Sequence, residues 1–181
     1  MKRTLQALTI LGTLLILSCE KNTTFLITEN SVGPLEKSSP VSELETLFAG
    51  DSIVRDTALA QLGSSNKKIE VFEKGGQHLL TLTPNTDSIP TISNVRIMDP
   101  RYLSDKGIGL QSTFGEIQKK YPIKKIVTTL NSIVIFPKQS NLYFTLGKEE
   151  LPSDLRFTTT DIEAVQIPNE AKIKYLMLGW E

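Results

Sequence analysis

Ile69-Glu70-Val71-Phe72-Glu73-Lys74-Gly75-Gly76-Gln77-His78-Leu79-Leu80-Thr81-Leu82 pairs without a gap against Ile133-Val134-Ile135-Phe136-Pro137-Lys138-Gln139-Ser140-Asn141-Leu142-Tyr143-Phe144-Thr145-Leu146. Five of the 14 positions are identical, where chance pairing of common residues gives about one. Each segment reads as a β-hairpin. Alternating or β-branched runs flank Gly75-Gly76 in the first and Gln139-Ser140-Asn141 in the second, which is the pattern of strand, turn and strand.

The likeness extends upstream. Val41, Leu44 and Phe48 fall where Phe114, Ile117 and Tyr121 fall, and their i, i+3, i+7 spacing predicts one apolar helix face. Ser39 is placed to cap the first helix, with Pro40 at its first turn. Thr113 and Glu116 fit a capping box for the second. Ile53-Val54 then matches Ile126-Val127 as the start of a strand. Downstream, Ile92 to Ile97 resembles Ile173 to Leu178, although Ile162, Val165 and Ile167 offer an additional strand or the true equivalent.

The order of blocks predicts an α+β fold of tandem duplicated units, each a helix followed by an antiparallel β-meander. The units span residues 25–100 and 101–181, with Arg101 to Gly109 as the connection. A helix on one sheet face leaves the other face partly open.

The first 19 residues carry a separate message. Met1-Lys2-Arg3 is basic, Thr4 to Leu17 is apolar, and Ile16-Leu17-Ser18-Cys19 ends in a small residue before the only cysteine. Such an apolar run is shorter than the roughly 20 residues of a membrane span and has the build of a secretory leader. It resembles a bacterial lipoprotein signal with its lipobox. The resemblance implies a signal peptide over 1–18, lipid attachment at Cys19 and a polar tether over 19–24. By the same resemblance Cys19 carries a diacylglycerol on sulfur and an acylated amine, which together make anchoring stable. Glu20 follows Cys19 in place of the aspartate associated with inner-membrane retention in enteric bacteria, so the expected address is the cell envelope, with the outer membrane ahead of the inner.

Removal of those 18 residues leaves 163, enough for one ordinary domain or two small units sharing a core. It also leaves 18 basic against 20 acidic residues, a balance with no general attraction to nucleic acid. One cysteine permits no internal disulfide.

The chain is poor in catalytic constellations. His78 and Cys19 are its sole histidine and cysteine, too few for a zinc site or a histidine triad. No EF-hand spacing and no P-loop occur, so no metal and no cofactor is expected. Ser64 to Lys67 and Ser65 to Lys68 match Ser-x-x-Lys, but a solvated Gly-Ser-Ser-Asn-Lys-Lys loop explains them. Asp51, Asp99, Asp105 and Glu116 are available carboxylates that the sequence does not pair. Glu149-Glu150 reads as a solvated turn. Lys119-Lys120 and Lys124-Lys125, at and just beyond the second helix, complement its dipole. Trp180 either closes the core edge or anchors an interface.

The order of elements, with segments such as Gly107-Ile108-Gly109-Leu110-Gln111-Ser112-Thr113-Phe114, resembles the β-lactamase-inhibitor-protein-like fold, which occurs in small bacterial envelope lipoproteins, among them a stress-regulated outer-membrane family of unknown function. The resemblance implies tandem units over roughly Phe25 to Trp180 and carries no activity across. The expected function is therefore a non-enzymatic, lipid-anchored envelope module. Its partners are the membrane, through the N-terminal lipid, and another envelope protein bound on the open sheet face. A small-ligand groove between the units and a cell-wall or lipid hydrolase are the alternatives.

Metabolic labelling with a lipid precursor checks the anchor: the wild-type chain takes up label and Cys19→Ala does not. Label that persists in Cys19→Ala refutes lipidation at this residue.

Overall fold

The computed structural model describes residues 23–55 and 68–180. The leader, Cys19 and the two Ser-x-x-Lys serines lie outside the described residues.

Among the described residues twelve strands form two sheets. The smaller contains β1 (Leu26–Ile27), β2 (Ser31–Val32), β3 (Leu35–Glu36) and β8 (Leu103–Ser104), in the order β3-β2-β1-β8. The larger contains β4 (Ser52–Arg55), β5 (Ile69–Phe72), β6 (His78–Pro84), β7 (Ile92–Ile97), β9 (Ile123–Thr128), β10 (Ser132–Pro137), β11 (Leu142–Gly147) and β12 (Tyr175–Gly179). Its order is β4-β5-β6-β7-β12-β11-β10-β9, antiparallel throughout. Two runs of four sequential strands thus meet through their last members, where Leu176 pairs with Ile97 and Leu178 with Val95.

The predicted α+β class is overturned. The chain is mostly β, and its α-helices among the described residues are only α1 (Leu44–Leu47) and α2 (Phe114–Lys120). It is not a tandem repeat of helix-then-meander units. Three physical facts account for the difference. The first helix shrinks to one α-turn behind a 3-10 turn (Val41–Glu43), because its entry is held as extended chain: Pro40 bridges Thr91, and the Val41 N–H donates to Pro90 O. Ser39 is not its cap; the hydroxyl accepts from the Glu36 N–H in the preceding turn. The segment before it is not a lead-in but a sheet, whose Ile27, Val32 and Leu35 are fully buried. Finally, the β7–β12 ladder leaves no boundary between halves, and one buried cluster runs through both.

Local readings fare differently. Thr113 Oγ1 accepts from the Glu116 N–H while the Glu116 carboxylate accepts from the Thr113 N–H, forming the capping box. Phe114, Ile117 and Tyr121 from this helix enter the core. Gly75 and Gly76, at φ +120° and +95°, turn between β5 and β6, a backbone that side chains resist. Residues 162–167 form no strand: Ile162 and Ile167 are buried around a 3-10 turn (Ala164–Gln166) and Val165 is exposed. Lys119 and Lys120 close α2, whereas Lys124 and Lys125 lie on β9, an edge strand, where charge discourages pairing with another chain. Trp180 is 4% exposed and donates through Nε1 to Glu29 O at 3.0 Å, so it closes the core edge.

A single eight-stranded sheet predicts shared stability. Leu176→Ala removes a fully buried side chain at the junction and should cost about 2–5 kcal/mol. Hydrogen exchange should report the loss in amides of both β6 and β11; a loss confined to β11 would show that the halves open separately.

Candidate functional site

Alternation along each strand sends one set of side chains into the core and the next to the opposite face. On the core side Leu80, Val95, Ile97, Leu176, Phe144 and Ile135 are 0–1% exposed. On the other side the residues of the inner strands are mostly half-buried, which leaves them reachable from solvent.

Register gives that open face a definite order. Val54 pairs with Glu70, Glu70 with Thr81, and Thr81 with Arg96. Arg96 then pairs with Met177, and Met177 with Tyr143. Tyr143 stacks on Phe136 at 5.6 Å between centroids, and Phe136 pairs with Lys125. One row therefore crosses all eight strands. A parallel row holds Tyr175, Thr145, Val134 and Val127. Phe72 and His78 stack at 4.5 Å near the other end.

The rings are fixed by their neighbours. The Asn94 Nδ2 donates to Tyr143 Oη at 2.5 Å, and burial pushes that phenol above its ordinary pKa. The Arg96 guanidinium lies 3.9 Å from the Tyr175 ring centroid, and Lys125 Nζ lies 4.6 Å from that of Phe136. Such contacts are attractive because the ring face is electronegative. Beside Tyr143 a shallow depression of about 540 Å³ is lined by Asn94, Phe136, Ser140, Asn141 and Gly179 among others.

A second concavity, of about 330 Å³, is polar at one wall. Phe25, Leu47, Phe48, Asp51, Glu73 and Tyr102 line it. Arg101 organises the charges beside it. Its Nε and Nη2 donate to Asp99 at 3.0 and 2.9 Å, and Nη1 and Nη2 donate to both Glu73 oxygens at 3.0 and 2.9 Å. The guanidinium also lies 4.2 Å from the Phe25 ring centroid. Arg101 holds the Asp99 carboxyl below its ordinary value through this hydrogen bonding. Asp51 goes the other way, raised by burial and then by the nearby Glu73 charge. Burial, followed by the charges of Asp51 and Asp99, pushes the Tyr102 phenol up.

The predicted carboxylates do not converge as a set. Asp99 and Glu73 are committed to Arg101, and Asp51 has no ion pair among the described residues. Asp105 accepts from Tyr121 Oη at 3.4 Å, whose phenol burial pushes up to about 12. Glu116 serves the capping box. Glu149 sits 3.4 Å from Lys174 Nζ and is held low by its own backbone N–H, then by that lysine; Glu150 accepts from the Lys172 N–H. His78 Nε2 lies 3.1 Å from Leu80 O and 3.2 Å from Thr81 Oγ1, an arrangement within its own strand. Among the described residues no group of three His, Cys, Asp or Glu is placed to hold a metal. No helix among them is long and apolar enough to cross a membrane. Sequence reasoning left out Arg96, Arg101 and Glu73, since their partners arrive only through tertiary pairing.

No family model and no curated protein matches the chain. Among solved structures it is similar to the crystal structure of the uncharacterized protein yfeY from Escherichia coli. The TM-score is 0.53 at 16% identity, covering 83% of this chain and 97% of that one. The likeness is one of fold.

The Asp99 clasp predicts a pH response. Its folded carboxyl titrates below the ordinary 3.8, so the unfolded chain takes up the proton first as pH falls. The stabilisation is complete above pH 3.8 and is lost as pH drops through the folded value. Asp99→Asn should cost about 1–3 kcal/mol at neutral pH and flatten the acid limb of stability measured by urea unfolding. An unchanged acid limb would mean that Asp99 does not gain from Arg101.

Proposed function

We propose that this chain is a lipid-anchored lipoprotein of the bacterial envelope and that it works without catalysis, by holding another protein on the open face of the eight-stranded sheet. The observation that carries the reading is the composition of that face. Phe136, Tyr143, Tyr175, Met177 and Arg96 are half-buried and mutually packed. Aromatic residues, Met and Arg are the residues enriched at the centres of protein interfaces, and rings already held in place lose little entropy on binding. The depression beside Tyr143 is shallow, a shape that suits a protein surface better than an enclosed small molecule.

The alternatives have less support. At the β7–β12 junction the core side is filled by buried Val95, Ile97, Leu176 and Leu178, which opposes a ligand groove there. For hydrolysis, both oxygens of Glu73 are bound to Arg101, so Asp51 lacks a free carboxylate beside it to divide acid and base roles. The lipid at Cys19, expected from the leader, would set the face at a membrane surface, with the outer membrane as the favoured address.

Photo-crosslinking in intact cells tests the proposal. The full chain carries a photoreactive residue in place of Tyr143 or Phe136, with Lys119 on α2 as the control. The expected result is a discrete protein adduct from the two sheet positions and none from the control. Tyr143→Ala with Phe136→Ala should weaken retention of that protein by a factor of about 10 or more. No adduct under any growth condition, or equal adducts from position 119, would refute the sheet face as the binding surface.

A further inference from the structure

Arg96 carries a central-row charge that no ion pair answers among the described residues. It stands on β7, beside the junction with β12, at the middle of the open face. Its Nε is buried without a hydrogen-bond partner. No ion pair or hydrogen bond joins its guanidinium to another described residue; the guanidinium lies against the Tyr175 ring. Glu70 is on the same row, but two strands away, which is about 10 Å. From β7 through β12, β11 and β10 to β9, the strand residues of this face include Arg96 and Lys125 and no acid.

A guanidinium held against a ring is oriented before anything binds. Its row neighbours are Met177 on one side and Thr81 on the other, and it is half-buried, so water screens it less than a free surface arginine. Burial of this face by a partner without an opposite charge would strip water from the cation and leave it unpaired, which is costly. A carboxylate brought to its Nη edge removes that cost and adds charge-assisted hydrogen bonds. Apolar groups beside the carboxylate would then settle on Tyr143, Phe136 and Met177.

We infer that the protein held on this face presents an acidic side chain flanked by apolar residues, and that Arg96 receives its carboxylate. The inference rests on the sheet face being the binding surface. A protein segment fits better than an anionic membrane: a membrane draws on many dispersed cations, whereas the strands of this half of the face carry Arg96 and Lys125, each lying on an aromatic ring, and the neighbouring Lys174 is paired with Glu149.

Selection from a phage-displayed library of random linear peptides against the full chain tests both statements. Peptides whose binding is lost in Tyr143→Ala report the face. Among these, Asp or Glu next to apolar residues should be enriched, and Arg96→Met should weaken binding by about tenfold or more. Replacing the peptide's Asp by Asn should do the same on the unaltered protein, so the test stands even if Arg96→Met folds poorly. Arg96→Lys should recover part of the loss, because it keeps charge without the fork. Tyr143-dependent peptides that tolerate both Arg96→Met and Asp→Asn would overturn the carboxylate inference and leave the binding face intact. Absence of any Tyr143-dependent peptide would overturn both. Arg96-dependent adsorption to phosphatidylglycerol vesicles, without acidic peptides, would overturn the choice of a protein partner.

Discussion

The ladder between β7 and β12 is the constraint on which the rest of the structure depends. It joins residues about eighty positions apart, Val95 to Leu178 and Ile97 to Leu176. Without it there would be two four-stranded meanders, each with an exposed edge at its last strand. With it there is one sheet of eight strands whose central positions are fully paired. Its core face is continuous, so Leu80, Val95, Leu176 and Phe144 belong to a single buried cluster. Its other face is equally continuous, and the row from Val54 to Lys125 is aligned because the ladder fixes register across the middle. A slip of one residue there would turn Arg96 inward and Val95 outward.

What was legible in the sequence was local. The hairpins around Gly75-Gly76 and Gln139-Ser140-Asn141 show themselves by alternation, and strands β5–β6 and β10–β11 stand where that alternation falls. The capping box at Thr113 needs only four residues, and it is present. The first helix also looked local, yet contacts made by Pro40 and Val41 with the 90–91 segment override its propensity. Strands of two residues, such as β1 to β3, are too short to show a period at all. Their burial comes from position rather than pattern. That is why the α+β expectation failed although several of its pieces hold.

The candidate surface follows the same division. The sequence marked an open face in general terms but could not say which side chains share it, because membership depends on the pairing of distant strands. Tyr143 and Phe136 are seven residues apart and meet through one hairpin. Arg96 and Tyr175 meet only because the halves are joined. The charged clasp is equally non-local: Arg101 reaches Glu73 across 28 positions. In each case the residue type was visible and its partner was not.

Glu29 gives the fold a mechanical property. Its carboxylate accepts from Ser140 Oγ and the Asn141 N–H at 2.7 and 2.6 Å, while its backbone oxygen accepts from Asn141 Nδ2 and Trp180 Nε1. The turn between β1 and β2 is therefore latched to the β10–β11 turn and to the residue that follows β12. A pull on the chain N-terminal to Thr23 does not peel β1 alone; it loads the far half of the large sheet at the same moment. The β1–β2 turn and the Trp180 segment act as a clasp, so that opening one loads the other.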